Sequence, residues 1–135
     1  MNVYCVPQDA INPIWNKVEP FFKRALKNHD AEFSLEDLKD AVSTGRWSLF
    51  AFINDDNILN GGAVVSFMSY PKSYVAFVTC VGGKSLVNPQ YYEKFMALLK
   101  SYGADRVQGY VTDAIVRLYG KIGVAKRTNL VEVKL

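Results

Sequence analysis

The stretch Ala114-Ile-Val-Arg-Leu-Tyr-Gly-Lys-Ile-Gly123 decides how the chain is read. Ile115, Leu118, Tyr119 and Ile122 fall at i, i+3, i+4 and i+7, the spacing of one apolar helix face, and Gly123 is placed to end that helix. Just upstream, Val107, Gly109 and Val111 alternate with Gln108, Tyr110 and Thr112, a two-residue period that predicts a strand over Arg106–Thr112. Downstream, Val131, Val133 and Leu135 alternate with Glu132 and Lys134, which predicts a half-exposed final strand. The end of the chain therefore reads strand, helix, strand.

Working outward, 135 residues are enough for one domain with one sizeable core, so residues 1–135 are taken as a single domain. Half of the residues are hydrophobic and 21% charged, an ordinary globular balance. A net charge of +3 permits an acidic partner without demanding one, and nothing interleaves aromatics with the basic residues, which argues against nucleic acid. No apolar run approaches a membrane span, and the N-terminus lacks a charged-then-apolar signal pattern. Cys5 and Cys80 form neither a disulfide framework nor a metal spacing, so the expectation is a reduced cytoplasmic protein without a metal.

Asn2–Val6 is a strand candidate, stopped by Pro7. Asn12-Pro13 offers an N-cap and a proline at the first helical position. Ile14, Val18, Phe21, Phe22, Ala25 and Leu26 form that helix's apolar stripe, and Lys17, Lys23, Arg24 and Lys27 its basic face. Pro20 should kink or split the helix after Val18 or Glu19. Ser34-Leu-Glu-Asp37 is a variant capping box opening a second helix, which Gly45 ends. Three aromatic and β-branched runs follow, Trp47–Ile53, Ile58–Tyr70 and Tyr74–Val81, joined by turns short enough for antiparallel hairpins. Gly61-Gly62 predicts a bulge or a close backbone approach. A helix from Pro89 to about Tyr102 completes the order β-α-α-β-β-β-α-β-α-β. The fold class is α+β, a mixed, mostly antiparallel twisted sheet flanked by helices, since three consecutive strands exclude a doubly wound sheet.

Residues 114–123 resemble the last motif of the GNAT N-acetyltransferase superfamily, a helix ending Leu-Tyr-x-x-x-Gly-Phe between two strands. Leu118, Tyr119 and Gly123 match, and Val124 stands at the Phe position. The element order is also similar to the GNAT fold, and the likeness covers the whole chain. The resemblance implies that the strand before the third helix splays from its neighbour and pairs its backbone with the pantetheine arm of acetyl-CoA. Val78, Thr79, Cys80 and Val81 would be the carriers here, through main chain. It implies a phosphate-wrapping loop next, occupied here by Gly82, Gly83, Lys84 and Ser85. It also implies Tyr119 as general acid, protonating the departing thiolate.

Several residues carry a plainer reading. Pro89 has no N–H for a phosphate, and Asn88 as N-cap occupies a donor that a phosphate would take, so this helix caps itself. Gly83-Lys84-Ser85 is not a P-loop, because Val78 stands where the first glycine is required and residues 86–89 separate the motif from its helix. Tyr119 reads first as part of its helix stripe, Cys80 as a small buried hydrophobe, and His29 as a dipole partner at a helix end. Thr112 replaces the usual Asn seven residues before Tyr119, and no carboxylate lies in Tyr74–Val81 to act as base. Glu36, Asp37, Asp55 and Asp56 are the nearest acids, each explained as a capping or turn residue.

A second resemblance, of Ile115–Val124 and of Phe77-Val-Thr79, is to small GNAT-like virion-associated proteins of short-tailed phages. It implies a scaffold that kept the GNAT shape, lost the cofactor loop and acts through a protein partner, in a virion or in the host cytoplasm. The alternative is a working acetyl-CoA-dependent N-acetyltransferase, its base reached through water.

Overall fold

A computed structural model describes residues 1–27, 32–83, 88–111, 113–121, 123–127 and 131–135. His29, Lys84, Ser85, Thr112 and Ile122, all singled out above, lie outside the described residues, as do the side chains of Ile115 and Leu118. The chain runs β1 (Asn2–Cys5), a 3-10 turn (Gln8–Ala10), α1 (Ile11–Leu26), α2 (Leu35–Ser43), β2 (Ser48–Ile53), β3 (Leu59–Tyr70), β4 (Ser73–Gly83), α3 (Pro89–Ser101), β5 (Arg106–Gln108) and α4 (Asp113–Gly120). The five strands form one sheet in sequence order. The first three pairings are antiparallel, and β4–β5 is parallel, the two strands being joined by α3 as a crossover.

Two apolar layers sandwich the sheet. Ile11, Trp15, Val18 and Phe22 recur along α1 and are buried with Leu38 and Val42 of α2 against Leu49, Val64 and Cys80. On the other face, Tyr91, Phe95 and Leu99 of α3 meet Phe50, Phe52, Val65 and Ala76, and Tyr119 of α4 joins this cluster. Phe50 and Phe52 each sit within 5.4 Å of the Phe95 ring, edge-on, which locks α3 against β2.

Local signals set most boundaries. Ser34 and Asp37 form the reciprocal capping box, with Ser34 N–H donating to Asp37 Oδ2 at 2.8 Å and Asp37 N–H to Ser34 Oγ at 3.2 Å. Gly61-Gly62 meets both expectations: the β2–β3 register shifts beside it, and a Cβ on Gly62 would lie 2.8 Å from Val18 Cγ2. Gly123 has φ +88°, and Val124 N–H donates to the Tyr119 carbonyl while Gly123 N–H donates to that of Gly120, a Schellman closure.

Three expectations are corrected. α1 starts at Ile11, out of the 3-10 turn and not from an Asn12 cap, because Pro7–Ala10 already turns the chain. α1 is also not split at Pro20 but continues through it as one helix. An interior proline costs about 3 kcal/mol, but Val18 and Phe22 on either side are fully buried, each contributing about 1.5–3 kcal/mol. Pro20 and Asn16 are exposed, so the carbonyl that the missing N–H would have engaged can bond to water. Finally, residues 131–135 form no strand, and Val131, Val133 and Leu135 are 91%, 82% and 119% exposed. Alternation makes a strand only where a neighbouring edge accepts its hydrogen bonds, and β5 offers just three paired residues.

Candidate functional site

The site begins where β4 and β5 part. Their ladder covers only Val75, Ala76 and Phe77 opposite Arg106, Val107 and Gln108. Gly109 still lies close to β4, since a Cβ there would be 3.2 Å from the Val78 carbonyl oxygen; beyond it the two strands are no longer paired. This is shorter than the strand expected through Thr112, and the β4 backbone at Val78–Val81 is left with a ladder partner only on its β3 side.

A bulge falls at the same place. Val64 pairs with Cys80 and Val65 with Val78, which leaves Thr79 as the extra residue. Its effect is to place neighbours on one face: Thr79 lines a surface cleft on the α2 side, and Cys80 is buried beneath α1. Val78 and Val81 turn to the α3 side, in the cluster that holds Tyr119. The opening thus has the α2-side cleft on one face and Tyr119 beneath the other.

The cleft is an open surface depression of about 420 Å³. Phe33, Trp47 and Phe77 form apolar walls, with Phe33 edge-on to Trp47 at 5.9 Å. Charge comes from Glu32, Asp37 and Arg46, and the Arg46 guanidinium carbon lies 5.4 Å from the Trp47 ring centroid. Hydrogen bonds from Ser34, first its backbone N–H, hold the Asp37 carboxyl below its usual range, and Arg46 adds to the effect. Of the acids named from sequence, only Asp37 reaches the cleft; Asp55 instead pairs with the Met1 amino group. Glu32, Phe33, Arg46 and the Thr79 side chain were missed. They come from separated segments, and no local motif ties them together.

At the start of α3 the amides are spoken for. Pro89 has none, Gln90 and Tyr91 N–H donate to Asn88 Oδ1 at 3.0 and 3.4 Å, and Tyr92 N–H donates to the Asn88 carbonyl. Gly82 and Gly83 have a packing reason for being glycine. A Cβ on Gly82 would sit 2.5 Å from the Phe21 carbonyl oxygen, and one on Gly83, whose φ is +78°, 2.2 Å from that of Asn60. Burial pushes the Cys80 thiol up to about 12, so it is an inert core group. Tyr119 is 8% exposed, as a member of the helix stripe should be. The basic residues of α1 are exposed, with Arg24 over the Phe21 ring. Among the described residues no group of three His, Cys, Asp or Glu could hold a metal, and no helix is long and apolar enough to cross a membrane.

Solved structures share this architecture over the whole chain. A protein described as a probable acetyltransferase matches with a TM-score of 0.69 at 11% identity, covering 100% of this chain and 97% of its own. An aminoglycoside acetyltransferase from an uncultured soil metagenomic sample, solved with sisomicin, matches with 0.71 at 9% identity, covering 99% and 94%. An acetyltransferase of Trypanosoma brucei matches with 0.62 at 11% identity, covering 99% of each. The fold is that of the GNAT acetyltransferases. No family model and no curated protein matches the chain, and none of these likenesses bears on the phage proteins.

The GNAT fold implies acetyl-CoA, and the residues fit one part of it. The unpaired β4 backbone at Val78–Val81 suits the amide-bearing pantetheine arm, which would add to the sheet as a strand does. The N-terminus of α3 does not suit the diphosphate, because Asn88 already occupies its donors.

Proposed function

We propose that this protein is an acetyl-CoA-dependent N-acetyltransferase whose acceptor amine enters the cleft on the α2 side. The observation that carries the reading is the coincidence of three features at one point of β4: the end of the β5 ladder, the Thr79 bulge and the mouth of the cleft. Acetyl-CoA, when bound, supplies an activated acetyl thioester. The chain's own residues do the rest. Backbone groups of Val78–Val81 hold the donor's arm, and Phe77 and Thr79 flank the acceptor. Glu32, which lines the cleft, would receive through water the proton that the acceptor amine loses. Tyr119 would supply the proton that the leaving thiol takes up.

Acetyl-CoA titrated to millimolar concentration, with turnover followed as thiol release against a panel of amines, tests the reading. Aminoglycosides belong in that panel because two structural neighbours act on them. Tyr119→Phe is expected to lower turnover about a hundredfold, the typical worth of a positioned proton donor, with acetyl-CoA affinity nearly unchanged. An active enzyme indifferent to that change removes Tyr119 from the mechanism.

The self-capped α3 favours a second reading. A GNAT scaffold whose α3 amides are already capped would act through protein contacts, in a virion or in the host cytoplasm, as the sequence resemblance to short-tailed phage proteins implies. Absence of acetyl-CoA binding at millimolar concentration would put this reading first.

A further inference from the structure

We propose that the acceptor is a small amine that also carries a carboxylate and a flat apolar group, an aromatic amino acid being the simplest example. This rests on the acetyltransferase reading and adds the substrate class to it. The cleft is open to solvent, and its volume of about 420 Å³ falls within the roughly 300–1,000 Å³ of small-molecule sites. Three aromatic side chains, Phe33, Trp47 and Phe77, are in its lining, with Phe33 edge-on to Trp47, which suits a flat apolar body. Its charges are mixed, and the two signs are not in the same state.

Asp37 is partly committed, because one of its carboxylate oxygens accepts the Ser34 N–H of the capping box. Arg46 is presented differently. Its guanidinium is associated with the Trp47 ring at 5.4 Å, and among the described residues no carboxylate lies within ion-pair distance of it. A guanidinium held by an aromatic ring keeps its N–H donors, which match a carboxylate in bidentate geometry. An amine without an acidic group would set its ammonium near Glu32 and Asp37 and leave the Arg46 N–H donors without an anionic partner in contact. An amino acid instead places its carboxylate on Arg46 and its nitrogen toward Phe77 and Thr79, at the β4 opening, in a cleft that Glu32 also lines.

Phenylalanine, its methyl ester and phenethylamine differ only at the carboxyl group, and their binding is measured by calorimetry without acetyl-CoA. The wild-type protein is expected to bind phenylalanine about ten- to a hundredfold more tightly than either analogue, the worth of one charge-assisted pair. Arg46→Gln should remove that preference and Arg46→Lys should restore part of it; both changes are at an exposed position and should leave the melting temperature unaltered. Equal binding of the three compounds, a preference that survives Arg46→Gln, or no binding at millimolar concentration would each overturn the proposal. A separate titration with acetyl-CoA distinguishes the two levels. Failure of the amino-acid preference alone removes the substrate class. Failure to bind acetyl-CoA removes the acetyltransferase reading, and with it any claim that the amino acid is a substrate.

Discussion

A single methyl group at Gly82 would collide with the Phe21 carbonyl at 2.5 Å, a contact with backbone that a rotamer change cannot relieve. Gly82→Ala is therefore expected to destabilise the protein by about 1–3 kcal/mol, as overpacking does, read as a lower urea midpoint. An unchanged midpoint would mean that α1 gives way and that the glycine serves something other than packing. Cys80 makes a pH-dependent contribution at the same scale. Burial raises its pKa from an ordinary 9.0 to about 12, so the folded chain keeps the proton that the unfolded chain begins to release near pH 9. Unfolding then releases a proton between those values, and the stability present below pH 9 is lost as pH rises toward 12. Denaturation curves of the wild type and of Cys80→Ala between pH 8 and 11 should show a stability difference that narrows above pH 9. Parallel curves would show that the thiol does not carry this dependence.

At the scale of elements, the start of α3 shows how one side chain sets both stability and chemistry. Asn88 Oδ1 accepts from two amides that the helix itself leaves unpaired. Asn88→Ala should cost about 1 kcal/mol, while Asn88→Asp, which caps equally well, should cost little. Equal losses from both would point to the amide nitrogen of Asn88. This cap, the Ser34 box and the Gly123 closure were legible because each is a relation between residues a few positions apart. The failures at this scale were of another kind. Pro20 is helical because Val18 and Phe22 are buried by strands far away in sequence, and the extent of β5 is set by where β4 turns aside.

For the whole molecule, the unpaired C-terminal residues give a direct test. Removal of residues 131–135 is expected to leave the melting temperature within about a degree, since their apolar side chains bury almost nothing. A drop of several degrees would show that the segment adds to the sheet after all. The molecule also assembles its cleft from parts that share no local rule. Phe33 precedes a helix, Arg46 follows it, and Phe77 and Thr79 lie on the strand beside the opening.

The order of elements through α4, the helix faces and the caps at Ser34, Asn88 and Gly123 were determined by the sequence itself, because periodicity and capping are properties of neighbours. The match at Leu118, Tyr119 and Gly123 pointed to the GNAT fold for the same reason: a helix end and its closure fit within a few residues. Only the tertiary structure decided which face each β4 residue presents. One extra residue at Thr79 shifts the alternation that a two-residue period would otherwise fix: Thr79 keeps the side of Phe77 at the cleft, while Cys80 falls under α1 and Val81 toward Tyr119. A bulge is defined by the partner strand it fails to match, so it exists only once β3 and β4 are paired.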